Sequence, residues 1–534
     1  MTRRGRPHFN WVVIVLCAGA VGVALRILGL TWGLPLQLHP DEWVIITGAL
    51  DLAQRNSFEP SLFLRPDHVE IQLSYLAYQA YAYLVVHAPV EVAYAAHPAA
   101  FLLISRAITA LFGIAMVVLA YFIGRRFNRS IAVIAVVLFA IFPPFIQHSH
   151  FATPDVPLAS VLMVVILATM FYLENPAYAS LLVASGATSV AIAIKYPGVI
   201  ATVLIALVVI FAGLRDRAFL RILTHGVTAI VAVLVFLFLI SPVLFTNFQG
   251  VRDALQQESR TTHAGADGLG WGGNLVFYAD QYLLAGGILL SVAVVLGVIA
   301  AIRLRLVLML PVLLGSVFWV ILSAVPLHWE RWGVPMYVTP LILGSAGLYY
   351  SYRFIAGQAS WAKWRKPLAV TVSAVVVTNL LVSSIVVVGV LLAQDTRVTS
   401  QSQFVDRGLT SENTIFEGYT PFLPGNSQTI FDDFETVDGR LVAVEEARRF
   451  VVTSSCMSDR FLRDPQYVDE RKFYAQLEAE LELELVVDAS GGQPQPSALE
   501  VLNIIRAGSA VRNLVQDGRS GCTLRVYRLA DPAP

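Results

Sequence analysis

The chain has 534 residues, of which 56 % are hydrophobic and 14 % are charged, and its formal net charge at pH 7 is zero. A soluble domain carries about 25 % charged residues, so this composition predicts a polytopic membrane protein. Without net charge the chain offers neither a basic field for nucleic acid nor an acidic tail for a basic partner. Its cysteines and histidines show no metal-ligand spacing.

The first apolar stretch follows a basic N-terminus and is long enough to cross a bilayer, which takes about 20 residues. The small residues of "AGA" leave a cleaved signal peptide as an alternative, but the apolar run continues past them, which favours a span. Further stretches of suitable length bring the prediction to eleven spans. They cover residues 101–124, 130–147, 156–173, 178–195, 197–213, 224–243, 282–302, 306–325, 335–352 and 368–393.

Residues 71–88 are apolar enough to span, yet Tyr75, Tyr78, Tyr81 and Tyr83 run along them, and tyrosine prefers the membrane interface. If this segment lies flat, every basic cluster falls on one side of the membrane, which is then the cytoplasmic side. If it spans, the first basic cluster lies on the opposite side of the membrane from all the later ones. We therefore predict an interfacial helix here and acidic loops that face outward. The clusters are Arg3/Arg4/Arg6, Arg125/Arg126/Arg129, Arg215/Arg217/Arg221, Arg303/Arg305 and Arg353/Lys363/Arg365/Lys366.

The composition changes to that of a soluble domain after residue 394. "RRFVVTSS" and "TLRVYRL" predict strands, and "DERKFYAQLEAELELEL" predicts a helix. We therefore expect a membrane domain over residues 1–394 and a small extracytoplasmic α/β domain over 395–534. Cys456 and Cys522 each lie beside a predicted strand in an oxidising compartment, which predicts a disulfide; two buried free thiols are the alternative.

Three basic residues lie near the outer ends of predicted spans, namely Arg26, Arg106 and Lys195. Charge inside a membrane is costly and points to function, although each side chain can also snorkel to the interface. Three cations at one face suit the phosphate of an outer-leaflet lipid.

The outer loops carry the acidic residues. "HPDEW" contains Asp41 and Glu42 ahead of an amphipathic surface helix, and "TPDVP" places Asp155 at the entrance to a span. Helix capping is the structural alternative for each carboxylate. "PLHWERWGVP" adds further polar residues, and residues 246–283 read as a long flexible loop, either a lid or a plain solvated connection.

Five motifs follow one another along the chain: "HPDEW", "FPPFIQHSHFATPDVPLA", "KYPG", "LISPVLF" and "ERWGVPMYVTPLILGSAGL". In their order and their side of the membrane they resemble the membrane glycosyltransferases of the GT-C fold. More narrowly, the chain resembles the branch that contains dolichyl-phosphate-mannose-protein mannosyltransferases and aminoarabinose transferases. The resemblance covers residues 10–390, and "VVTSSCMSDRF" followed by "FYAQL" resembles the extracytoplasmic domain of bacterial members. "ERWGVP" departs from the Arg-Tyr pair of many members, which leaves the role of Arg331 open.

The resemblance implies a mainly α membrane bundle in the cell (plasma) membrane and transfer, with inversion, of a sugar from a polyprenyl-phosphate donor to an acceptor hydroxyl at the outer face. Protein, lipid and cell-wall polysaccharide acceptors all fit. A lipid phosphate is a competent leaving group, so one base and a phosphate clamp suffice. A divalent cation, Mg²⁺ or Mn²⁺, held by Asp41 and Asp155 is one way to stabilise the phosphate. The expected residues are Asp41 as base, Glu42 and Asp155 orienting the acceptor or holding a cation, Lys195, Arg331, His328 and Arg106 at the phosphate, and His39, Glu330 and His263 in substrate loops.

Two other classes remain as alternatives. A transporter or flippase for a lipid-linked glycan would place its coupling residues near the bilayer midplane, often at broken helices. A membrane scaffold whose soluble tail binds a partner would require none of the outer carboxylates. The ionisable residues of this chain crowd one face, which favours chemistry there.

Overall fold

The structure is a computed structural model that describes residues 11–63, 65–261, 263, 269–357, 363–489, 500, 504–505 and 519–529. A helical bundle occupies the chain up to residue 392, and a mixed α/β region follows it. The basic cluster Arg3/Arg4/Arg6 lies outside the described residues.

The bundle consists of α-helices linked by short 3₁₀ turns, as the apolar stretches predict. Their bounds are α1 Trp11–Ile27, α2 Glu42–Arg55, α3 His68–Tyr81, α4 Val90–Ala96, α5 Pro98–Arg125, α6 Arg129–Ala140, α7 Pro143–Gln147, α8 Asp155–Glu174, α9 Tyr178–Ile194, α10 Ile200–Arg215, α11 Phe219–Ile240, α12 Val243–Thr246, α13 Phe248–Glu258, α14 Gly270–Gly286, α15 Ile288–Arg303, α16 Leu310–Gly315, α17 Val317–Leu322, α18 Val338–Gly357 and α19 Arg365–Leu392.

Helix α8 forms the centre of the bundle. It is apolar on all faces, and 83 % of its most apolar stretch is buried. A helix without a polar face belongs in a core, and α8 packs there against α5, α9 and α10. Its first residue, Asp155, is therefore held in the interior at one end of the bundle.

Two predicted spans are bent helix pairs. Helices α6 and α7 meet at 56°, where Pro143 begins a new helix. Helices α14 and α15 meet at 116°, where Gly287 takes a φ of 79° that residues with a side chain rarely adopt. The span expected at 282–302 is thus divided between two helices of different direction.

Residues 246–283 are mostly helical, which corrects the expected flexible loop. Asn247 caps α13 by accepting a hydrogen bond of 3.0 Å from the Gly250 amide, and α14 follows. The cap and the apolar periodicity of these helices outweigh the glycine-rich composition. Residues 262 and 264–268 lie outside the described residues.

The segment at 71–88 forms α3 and a following π-helical turn at Ala82–Val86. It packs against α2, α5 and α9 and buries His68, Glu70 and Gln72. Among the described residues, α3 is not one of the helices long and apolar enough to cross a membrane. Its position at the interface stays a prediction.

Within the described part of the chain, five helices are long and apolar enough to cross a membrane, or up to seven if each bent pair is one span. Helices in three further predicted regions are apolar but shorter, at Trp11–Ile27, Tyr178–Ile194 and Val307–Leu322. The chain is a helical membrane protein, and the count of eleven spans stays a prediction.

The C-terminal region, residues 394–529, contains a four-stranded sheet in the order β2-β5-β8-β6, in which β2 and β5 are parallel and the other pairs antiparallel. Both predicted strands are present as β5 and β8. The predicted helix is shorter than expected, because "ELELVV" alternates with period two and forms β6. The bounds are β1 Gln394–Asp395, α20 Thr396–Asp406, β2 Thr414–Phe416, β3 Phe434–Val437, β4 Arg440–Ala443, β5 Phe450–Ser454, α21 Ser455–Leu462, α22 Val468–Glu480, β6 Glu482–Val487, β7 Arg519–Ser520 and β8 Leu524–Arg528.

The predicted disulfide is present. Cys456 at the start of α21 is bonded to Cys522, which precedes β8, and the two Cα atoms are 5.4 Å apart. The link joins two segments that are 66 residues apart in sequence. Since Cys17 is then the free cysteine of the described residues, the chain suits single-cysteine labelling.

We predict that the C-terminal region is extracytoplasmic and that the α10–α11 turn is cytoplasmic. In a Cys17→Ser background, Asp469→Cys should react with an impermeant thiol reagent in intact cells, since the Asp469 side chain is 93 % exposed. Arg217→Cys, at an exposed position in the α10–α11 turn, should react only after lysis. The reverse labelling pattern would overturn the predicted orientation.

Candidate active site

Glu42 and Arg106 form a buried ion pair inside the bundle. The Arg106 guanidinium donates to both Glu42 carboxylate oxygens at 2.7 and 2.8 Å, and the Ala152 amide donates to the same carboxylate at 3.0 Å. Arg106 also donates to the carbonyls of Leu30 and Trp32. Both charged side chains are fully buried, so the structure makes them a link between α2, α5 and the first loop and does not bring them to a cavity.

Asp41, one residue before Glu42, has different surroundings. It occupies the N-cap position of α2 but makes no side-chain capping hydrogen bond, so the capping alternative does not account for it. Its Oδ1 pairs with Arg65 Nη1 at 2.9 Å, and its Oδ2 pairs with Arg331. The side chain is 18 % exposed, its Oδ2 is buried, and the carboxylate is held between two guanidinium groups.

Arg65 and Asp67 belong to the same cluster and are missing from the sequence prediction. Arg65 Nε donates to Asp67 Oδ2 at 3.0 Å. The Asp67 backbone N–H donates to the Ile194 carbonyl at 3.0 Å, which ties this loop to the end of α9. Burial raises the pKa of the Asp67 carboxyl to about 6, and Arg65 opposes that shift. In the sequence, the charged motif "RPD" beside an apolar segment could have indicated these two residues.

Asp155 and Lys195 meet because α8 and α9 are antiparallel neighbours, which places the start of one beside the end of the other. Lys195 Nζ donates to Asp155 Oδ1 at 2.8 Å, and both side chains are buried. The Lys195 ammonium also lies 5.4 Å from the centre of the Trp332 ring. The predicted carboxylate and the predicted cation therefore form one pair.

An apolar cavity of about 460 Å³ opens beside this pair. Its charged groups are Arg65, Asp155, Lys195 and Glu258, and its walls are mainly aliphatic and aromatic side chains, with Phe318, Ile321 and Leu322 from α17 and Ile200 from the start of α10. A smaller cavity shares Ile200 and Phe318 with it and continues the apolar path. The lining residues are Arg65, Asp155, Leu158, Lys195, Tyr196, Pro197, Val199, Ile200, Leu255, Glu258, Ser259, Phe318, Ile321, Leu322, Ala324, Val325, Pro326, Trp332 and Pro335.

His39 lies in the first loop, next to Asp41. Its ring stacks on Phe151 with ring centres 4.5 Å apart, and its Nδ1 accepts a hydrogen bond of 3.2 Å from the Asp41 backbone N–H. Burial lowers the pKa of His39 well below its ordinary value, and nearby Arg331 adds to the effect. His39 therefore stays neutral and orients the backbone at Asp41.

The other predicted residues are dispersed. Glu330 is exposed, and the ring of His328 packs edge-on against Phe277. His263 packs edge-on against Trp329 with ring centres 5.0 Å apart. None of these three lines the apolar cavity, although all belong to the segments around Arg331.

Arg26 is not available to a lipid phosphate either. It is fully buried and donates to the carbonyls of Phe139 and Ala140, where α6 ends, and to Gly22 of its own helix. The guanidinium satisfies backbone acceptors that the break between α6 and α7 leaves without helical partners.

The expected cation site does not fit the residues present. Over the described part of the chain, no group of three or more His, Cys, Asp or Glu side chains could hold a metal ion. Asp41 and Asp155 are each paired with basic groups, which compete with a cation for the same oxygens. No catalytic step is therefore assigned to a metal.

Residues 102–245 match the family model for dolichyl-phosphate-mannose-protein mannosyltransferases. The Archaeoglobus fulgidus oligosaccharyltransferase in its apo form is 11 % identical over 85 % of this chain and 70 % of its own, with a TM-score of 0.50. Its complex with an inhibitory peptide and a dolichol-phosphate is 10 % identical over 85 % and 71 %, also at 0.50. ArnT from Cupriavidus metallidurans, bound to undecaprenyl phosphate, is 16 % identical over 77 % and 83 %, at 0.47. No curated protein matches by sequence. The expected resemblance to GT-C glycosyltransferases is confirmed at the level of the fold.

We predict that Glu42→Gln destabilises the protein by about 3 to 5 kcal/mol, because it leaves the buried Arg106 without its counter-ion. The matched control is Asp51→Asn on the same helix, where the carboxylate pairs with Arg55 at the surface and the loss should stay below about 1 kcal/mol. Thermal unfolding in detergent measures both. If Glu42→Gln melts like the wild type and loses only activity, Glu42 acts in catalysis.

Proposed function

We propose that this protein is a glycosyltransferase that moves a sugar from a polyprenyl-phosphate donor to an acceptor hydroxyl at the outer face of the membrane. The observation that carries the proposal is the apolar cavity with Arg65, Lys195 and Asp155 among its charged groups. A lipid-linked phosphate has matching chemistry, with an anionic head and a hydrocarbon tail. The mannosyltransferase family match and the dolichol-phosphate of the similar oligosaccharyltransferase support this donor class.

In this proposal the polyprenyl chain lies along α10 and α17, and the phosphate meets Arg65 and Lys195. Both cations are largely buried, so their charge-assisted contacts with an anion are screened little by water. Asp155 fixes the Lys195 ammonium at the cavity wall. The clamp is thus preorganised for a phosphate on which negative charge increases during transfer.

The chemical step needs one base and no general acid. The acceptor oxygen attacks the anomeric carbon as the bond from that carbon to the phosphate oxygen breaks, which inverts the configuration. Asp41 accepts the proton of the acceptor hydroxyl, and the leaving phosphate keeps the bonding electron pair. Arg65 contacts Asp41 and lines the cavity, so it connects the base to the phosphate.

The ion pairs of Asp41 link the base to the donor site. Arg65 pairs with Asp41 Oδ1 and Arg331 pairs with Oδ2. A donor phosphate that binds Arg65 therefore competes with Asp41 for the same guanidinium group.

The location of the charged residues favours transfer over transport. Asp41 precedes α2, Asp155 begins α8 and Lys195 follows α9, so these groups gather at helix ends and at one end of the bundle. A transporter that alternates access holds its coupling residues midway along the helices.

We expect Asp41→Asn to lower turnover by about 100-fold or more, because the amide cannot accept the proton. Binding of polyprenyl phosphate should persist or tighten, since Arg65 and Arg331 lose a competing carboxylate. Sugar transfer from a panel of polyprenyl-phosphate sugars in nanodiscs and binding of a fluorescent polyprenyl phosphate measure the two effects. Asp51→Asn is the control. A folded Asp41→Asn protein with near wild-type turnover would move the search for the base to Asp155.

Lys195→Gln should weaken polyprenyl-phosphate binding by about 10-fold and lower turnover as well, because a phosphate clamp acts in both the ground state and the transition state. Arg215→Gln serves as its control, since Arg215 lies at the opposite end of α10 and pairs with Asp216 at the surface. Equal lipid affinity in both variants would exclude Lys195 from the phosphate site.

A further inference from the structure

Two arginines from different parts of the chain meet beside Trp329. Arg331 follows this residue in the loop that reaches Asp41, whereas Arg460 belongs to α21 of the C-terminal region. The guanidinium carbons lie 5.8 and 5.9 Å from the centre of the same Trp329 ring. The two cations are close enough to repel each other, and of the two only Arg331 has a carboxylate partner, Asp41, among the described residues.

These guanidinium groups have hydrogen-bonding capacity left over. Arg460 Nη2 donates to the Tyr419 hydroxyl at 2.7 Å, but Arg460 Nη1 and Arg331 Nε are buried and have no hydrogen-bond partner among the described residues. A buried donor without a partner destabilises a protein, because it has lost its hydrogen bonds to water and gained none in return. Such a cost at two adjacent cations indicates that a ligand satisfies them.

No carboxylate in the described part of the chain forms an ion pair with Arg460. Glu417 is the nearby acidic group, but its carboxylate accepts hydrogen bonds from the Ser454 amide and the Tyr474 hydroxyl. Glu417 interacts with Arg460 through space, and burial raises the pKa of its carboxyl to about 7. Glu417 therefore offsets the charge of Arg460 only in part and forms no ion pair with it.

The position of this pair separates it from the donor phosphate. Arg65 approaches one oxygen of Asp41 and lines the apolar cavity, whereas Arg331 approaches the other oxygen and does not line it. Asp41 thus lies between the cavity and the Arg331–Arg460 pair. The C-terminal region also contacts the first loop here, since Gly425 lies against the backbone of residues 37–40.

We propose that Arg331, Arg460 and the Tyr419 hydroxyl bind a carboxylate or phosphate group carried by the acceptor. The inference rests on the proposed function and extends it: the acceptor is acidic, and its hydroxyl reaches Asp41 from the side opposite the lipid donor. The two arginines supply fixed donors for the anion, and the C-terminal region completes the acceptor site.

The test uses the full chain in nanodiscs with saturating polyprenyl phosphate, and titrates inorganic phosphate and methyl glucuronide as probes. We expect wild-type protein to bind at least one probe in the millimolar range and Arg460→Gln to bind it about 10-fold more weakly. Arg460→Lys, which keeps the charge but loses the fork of donors, should lie between them. Arg463→Gln is the matched control, because Arg463 follows the same helix and its side chain is 79 % exposed.

Lipid binding is measured separately, so the two proposals fail in different ways. Absence of polyprenyl-phosphate binding would contradict the proposed function. The acceptor proposal is overturned if the lipid binds but neither probe does, or if Arg460→Gln binds the probe as the wild type does. It is also overturned if the probe binds in a lipid-free titration but not in the presence of saturating polyprenyl phosphate. The same holds if Arg460→Gln weakens lipid binding as much as Lys195→Gln does. A thermal melt of each variant confirms that it is folded.

Discussion

The cost of charge inside an apolar bundle governs how this protein is built. An ion taken out of water must find a counter-ion or fixed dipoles, and both fully buried arginines of the bundle do so at helix ends. Arg26 binds the carbonyls that end α6, and Arg106 binds Glu42 and the carbonyls of the first loop. Irregular backbone and a buried cation thus stabilise each other at the α6–α7 bend and in the first loop.

The candidate site follows the same rule only in part. Arg65 keeps one buried nitrogen, and Asp67 one buried oxygen, without a partner among the described residues, and neither oxygen of Glu70 has one. These groups adjoin the charged lining of the cavity, where Asp155 and Lys195 are also buried. Arg26 Nε in the bundle core is likewise without a partner among the described residues, so incomplete pairing is not confined to this site. What sets the candidate site apart is that its incompletely paired Arg65 lines a cavity with room for a ligand.

Prediction from sequence succeeded for the helices, because their apolar stretches are local. The scarcity of charge also drew attention to Asp41, Asp155, Lys195 and Arg331, which form two ion pairs in the structure. The sequence did not indicate which cation each of two neighbouring carboxylates meets. Asp41 and Glu42 are adjacent, yet Glu42 begins α2 and pairs with Arg106 whereas Asp41 precedes the helix and pairs with Arg65. Arg65 and Asp67 escaped notice because their loop precedes a segment read only for its membrane position.

The sequence alone determined the class of the molecule, since apolar length decides membrane insertion and needs no knowledge of contacts. It also predicted the disulfide, because only two cysteines lie in the α/β region, and the structure decided between a disulfide and two free thiols. The tertiary structure alone decided which cation meets which carboxylate, and that Arg460 of the C-terminal region stands beside Arg331. These contacts join residues that are far apart in the chain but only a few ångströms apart in space. The local periodicity of the sequence therefore cannot predict them.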